Sequence, residues 1–128
     1  MATPLNENSL ALLASATADL QNGDGKTTLF TVPTGKKAII THCIVRGPDA
    51  SLAGGTDFDF GDGANADTWK NTVDLSSMTS TTDYMVVEGN NAKYTIFDAA
   101  DAFGVKPVTG ATADATATID VFGYLYDA

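Results

Sequence analysis

The chain has one cysteine, one histidine and one tryptophan in 128 residues. With Cys43 alone, no intrachain disulfide framework exists, so packing must supply the stability. His42 precedes it directly, and neighbours on a strand point to opposite faces, so the two cannot clasp one zinc ion. Glutamate is also scarce: Glu7 and Glu88 are the exceptions among 16 acids, the rest being aspartate. Aspartate suits turns and loop ends whereas glutamate suits helices, which points to a β protein. Lysine and arginine total only 7, leaving a net charge of −9. Such a chain repels phosphate backbones and shows no basic stripe, so no nucleic-acid partner is expected. No apolar run approaches membrane-spanning length, so no membrane partner is expected either. The stretch "SLALLASA" at 9–16 imitates a signal peptide but has Glu7 where a basic lead-in belongs, which predicts synthesis and folding in a cytoplasm.

What is present is a 44% hydrophobic chain of single-domain length. Residues 1–26 differ from the rest. "SLALLASATADLQ" at 9–21 fits neither a clean helix nor a clean strand, and reads as an apolar N-terminal arm that docks on something. From residue 27 to 128 short β-type runs alternate with Gly, Asp, Asn and Ser. "TTLFTV" meets "KAIITHCIVR" across a Pro33–Gly35 turn, read as a bulged hairpin. That second run is apolar on both faces, with Ala38, Ile40 and Ile44 on one and Ile39, Cys43 and Val45 on the other. "TDFDFG" places Phe58 and Phe60 inward and Asp57 and Asp59 outward. Further strands are predicted over 69–75, 83–88, 93–97 (after a "GNNA" turn), 103–108 and 116–127. Pro107 puts the run 103–108 at an edge or a strand end. About eight strands and no long helix predict an all-β, antiparallel, jelly-roll-like β-sandwich.

The chemistry-bearing residues are few. "TDFDFGDGANADTW" at 56–69 looks like a calcium loop, with Asp57, Asp59 and Asp62 the residues that would form one. However, Gly61 stands where a further ligand is needed and no glutamate follows, so no metal is expected and the aspartates read as a solvated strand face and turn. Asp98 and Asp101 are near each other, as a glycosidase pair would be, but no feature raises one of their pKa values. His42 has no nucleophile setting and reads as a half-buried, hydrogen-bonded residue. Phosphate and dinucleotide motifs are absent. The sequence therefore predicts no enzyme and no cofactor. The last strand is more informative. Ala117, Ile119, Val121, Gly123 and Leu125 make a core face, while Phe122, Tyr124 and Tyr126 make an aromatic stripe on the other side. A sandwich strand needs one buried face, so the stripe asks for a cover. That cover is the arm of the same chain, with Leu10, Leu12 and Leu13, or another subunit, or a sugar.

Between residues 28 and 69, "TLFTVPTGKKAIITHCIVRGPDASLAGGTDFDFGDGANADTW" resembles a group of tailed-bacteriophage virion proteins. These have a strand, a Val-Pro-x-Gly-Lys turn, a long apolar strand, and a Phe-rich strand leading to a Gly/Asn-rich loop. The closing "ATIDVFGYLYD" is similar to how such chains finish. The resemblance implies a capsid decoration or cement protein of jelly-roll type. It would be a homo-oligomer, a trimer, on the outer capsid surface of the virion, and would brace the major capsid protein without catalysis. The alternative is a tail-associated or receptor-binding module that recognises host surface glycans, using Tyr124 and Trp69.

Overall fold

The computed structural model describes residues 9–89 and 96–128. Among them run nine strands: β1 (Ala11–Asp19), β2 (Thr27–Thr31), β3 (Lys36–Arg46), β4 (Asp57–Gly61), β5 (Lys70–Val73), β6 (Tyr84–Glu88), β7 (Phe97–Asp98), β8 (Ala102–Thr109) and β9 (Thr116–Asp127). They form two antiparallel sheets, ordered β1-β9-β3-β6 and β2-β8-β4-β5, with short β7 pairing the start of β3. The pairs nest around the chain: β1 with β9, β2 with β8, β3 with β6 and β4 with β5. That nesting is the double Greek key of a jelly roll. Seven of the eight expected runs form strands, β7 shares only Phe97 with the run expected over 93–97, and β1 is a strand the sequence does not predict. Most of the "GNNA" turn and residues 93–95 of the run 93–97 lie outside the described residues. No helix among the described residues is long and apolar enough to cross a membrane.

The segment expected as an arm enters the sandwich. Residues 11–19 pair along β9 from Ala11↔Gly123 to Asp19↔Thr116, with a bulge between Leu12 and Ala14. The bulge explains why the sequence shows no period: Ala14, Ala16 and Ala18 share the inner face, but Leu12 before them lies on the outer one. Leu20 follows, fully buried. Residues 1–8 of the arm lie outside the described residues.

The Pro33–Gly35 turn forms, with Gly35 at φ 77° and the Lys36 N–H donated to the Pro33 carbonyl at 3.2 Å. It does not close a hairpin, because β2 and β3 belong to different sheets. Two long apolar runs joined by a short turn fit a hairpin and a crossover equally well, and tertiary packing decides between them. Pro107 stands in β8, which lies between β2 and β4. However, β2 pairs only residues 102–105, whereas Pro107 opposes Phe58 of β4 beyond that span. The missing N–H therefore costs no ladder bond to β2.

The core lies between the sheets. Phe58 and Phe60 are fully buried, as their alternation predicts, together with Phe97, Phe103, Leu52, Leu75, Met78 and Ile119. Trp69 joins them at 5% exposure. Its ring meets Phe103 edge-on at 5.3 Å, and Phe103 meets Phe97 at 5.5 Å. Contacts of this geometry add about 0.5–1.5 kcal/mol each beyond area burial.

Candidate interaction surface

The outer face of the β1-β9-β3-β6 sheet is set by a second bulge. Between Ile40 and His42 the β3–β9 register slips by one residue, so Thr41 is left over. Ala38, Ile40, Cys43 and Val45 therefore point inward and are buried, while Ile39, His42 and Ile44 face outward, half-buried. This corrects the sequence reading, which keeps strict alternation through residue 41 and so sets Ile44 with Ile40 and Cys43 with Ile39.

Cross-strand pairing then assembles a band. One row runs Leu12, Phe122, His42, Glu88, and the next Ser15, Asp120, Ile44, Val86. On the other side Tyr124 lies beside Ile39, and Tyr126 beside Lys37. The His42 and Phe122 rings stack flat, with centroids 4.7 Å apart and planes within 5°. Thr41 Oγ1 lies 3.0 Å from His42 Nδ1 and donates to the Phe122 carbonyl at 3.2 Å. Charges close the band at each end of β3. At one end Arg46 Nε donates to Asp120 Oδ2 at 2.8 Å and the Ser15 hydroxyl donates to Oδ1 at 2.7 Å. The Arg46 hydrogen bond holds the Asp120 carboxyl below the ordinary carboxylate range, with Ser15 adding to it. At the other end Lys37 pairs with Asp98.

The stripe expected on β9 is thus present on one face, with Phe122, Tyr124 and Tyr126 half-buried among side chains of their own sheet. Strand β1 lies beside β9 in the plane of that sheet and adds Leu12, 54% exposed, to the rim. Leu10, just before it, is 52% exposed, whereas Leu13 packs against the core. Sequence reasoning missed Tyr84 and Val86 of β6, 70% and 49% exposed, which continue the band to the sheet edge. Their outward alternation in "YMVVE" is the signal that finds them.

The acidic candidates are placed differently. Burial raises the Asp59 carboxyl above its ordinary pKa, and the charges of Asp57 and Asp67 add to this against the Thr72 N–H that it accepts at 3.1 Å. Asp62 instead accepts from the Thr68 hydroxyl at 2.5 Å, across its own turn. Among the described residues no group of three or more His, Cys, Asp or Glu is placed to hold a metal ion. The Asp101 carboxylate accepts the Asp98 N–H at 2.8 Å while Asp98 pairs with Lys37, so one closes a turn and the other an ion pair. Burial pushes the Cys43 thiol well above its ordinary pKa, with the Asp120 charge a smaller contribution, and the side chain behaves as a small hydrophobe. An open groove follows the opposite flank, between edge strands β5 and β6, lined by Lys70, Thr72, Asp74, Met85, Val86 and Glu88 among others.

No protein-family model and no curated protein sequence matches the chain. A chain of the cyanophage Pam1 capsid asymmetric unit superposes on it with a TM-score of 0.53 and 17% identity, over 97% of this chain and 91% of that one. At that identity the likeness is one of fold.

Proposed function

We propose that this chain is a non-enzymatic virion structural protein, a decoration or cement protein that self-associates on the outer capsid surface and braces the major capsid protein. The observation that carries the reading is the apolar band on the outer face of the five-stranded sheet. The sandwich already buries the inner face, so Leu12, Phe122, Tyr124, Ile39, Ile44 and Val86 are a second apolar surface that no strand or loop among the described residues covers. A second copy is the occupant that suits it. The chain carries net charge −9, but the charges that close the band at the two ends of β3 are already paired, and among the described residues only Glu88, at the β6 end of its row, adds a carboxylate without an ion pair. The fold likeness to a chain of a capsid asymmetric unit, over 97% of this chain, supports a virion setting. The trimer and the outer-surface location lean on the sequence resemblance. The glycan-binding alternative loses Trp69, which is in the core.

Mixing the purified protein with emptied capsids tests the reading. The protein should co-sediment with them and raise their resistance to heat or osmotic rupture. Protein left wholly in the supernatant refutes the capsid assignment.

A further inference from the structure

The outer face of the β2-β8-β4-β5 sheet carries a feature unrelated to the band. Asp57 and Asp59 stand two residues apart on β4, so both carboxyls lie on that face while Phe58 and Phe60 are buried on the other. Asp57 Oδ1 is fully enclosed, and among the described residues it accepts no hydrogen bond. An enclosed carboxylate oxygen without a donor is costly, and native structures retain few of them.

The groups around the pair leave that oxygen unserved. Lys106 opposes Asp59 in register on β8, and Lys70 stands at the start of β5. Among the described residues neither lysine forms an ion pair. In the turn between β4 and β5, Asp67 adds its negative charge and Asp62 is engaged with the Thr68 hydroxyl. Asp74, just past β5, accepts from Ser76. The donor must come from the pair itself. Asp59 Oδ1 accepts the Thr72 N–H at 3.1 Å, which leaves Oδ2 as the oxygen to carry a proton. The two carboxyl groups lie within hydrogen-bonding reach of each other.

From this geometry we infer that Asp57 and Asp59 form a proton-operated clasp, in which Asp59, protonated on Oδ2, donates to the orphaned Asp57 Oδ1. The O–H bond forms with a proton from water and is the only covalent change. Oδ1 of the protonated Asp59 keeps the Thr72 N–H, so one side chain then serves β4 and β5 together. Thr72 needs that hold, because its φ of 58° lies in the left-handed region that a β-branched residue rarely adopts. Burial first, then the charges of Asp57 and Asp67, raise the Asp59 carboxyl above its ordinary range. With the folded value raised, the contribution of the clasp is complete below the unfolded pKa of about 3.9 and is lost as pH rises through the folded value. Above it, two like charges face each other with no proton between them. The clasp lies on the side of the sandwich away from the band, so it operates in a single chain and depends on neither the proposed self-association nor the virion setting.

Carboxyl-carbon NMR titration of the full chain, with isosteric variants, tests it. The Asp59 carboxyl should titrate above the ordinary aspartate range in wild type and lower in Asp57→Asn, where the new amide donates to the Asp59 carboxylate instead. Asp57→Asn and Asp59→Asn should each raise the melting temperature at pH 7. The double variant should melt no higher than Asp59→Asn alone, because both changes relieve the same repulsion. An Asp59 titration unchanged by Asp57→Asn, or gains that simply add, overturns the inference. So does a calcium-dependent rise in the wild-type melting temperature that Asp57→Asn abolishes, since a cation rather than a proton would then serve the orphaned oxygen.

Discussion

The Ile40 carbonyl, at the β3 bulge, accepts the Trp69 indole N–H at 2.9 Å in the core. One side chain of the second sheet's edge region thus satisfies a backbone group of the first. Trp69→Phe keeps most of the ring but orphans that carbonyl, and should destabilise the chain by roughly 2 kcal/mol in a denaturant titration. Gly123 opposes Ile40 on β9, where a Cβ would stand 2.1 Å from the Ile39 oxygen, so only glycine lets the strands close at the bulge. Two classes of aspartate give the pH response opposite signs. Asp49, Asp74 and Asp120 hold their carboxyls below the ordinary range, through Thr116, Ser76 and Arg46 respectively. Their contribution is present above the unfolded pKa of about 3.9 and is lost as pH falls through the folded values. Asp59 is raised, chiefly by burial, so its ionised form opposes folding at neutral pH and protonation relieves it. Asp59→Asn should therefore raise the melting temperature at pH 7, with the gain shrinking as pH falls through the raised pKa. None of this is readable from residue types: Trp69 in "TDFDFGDGANADTW" looks the same in sequence whether it faces a sugar or the core.

At the scale of strands, legibility follows regularity. Strand β4 alternates without interruption, and its sequence correctly puts Phe58 and Phe60 inside. Strand β9 does the same, so its alternation alone reveals both the core face and the aromatic stripe. Strands β1 and β3 each contain a bulge, which inserts one residue and reverses every later side chain. The sequence has no mark for that insertion, which is why β1 reads as an unperiodic arm and why the faces of β3 are misassigned beyond residue 41. The candidate surface was half legible for the same reason: Phe122, Tyr124 and Leu12 from β9 and β1, but not their joining through Ile39, His42 and Ile44. The surface and the core should separate in a mutation pair. Phe58→Ala, which empties a fully buried site, should cost about 3–5 kcal/mol of stability. The double variant Phe122→Ser/Tyr124→Ser should retain the β circular dichroism spectrum while shifting the sedimenting species towards a single chain.

For the whole molecule, the proposed assembly rests on one feature: a jelly roll needs one apolar face per sheet, and the five-stranded sheet carries an apolar band on its outer face as well. The net charge of −9 acts against self-association, so the oligomer should tighten as salt screens the repulsion between copies. A contact driven by ion pairs would weaken instead. The central claim, self-association through the band, therefore rests on the solution mass of the intact chain. Sedimentation equilibrium at micromolar concentration and physiological salt should give a multiple of the 13.2 kDa chain mass, three-fold for the trimer. A single species of 13.2 kDa under those conditions would contradict it.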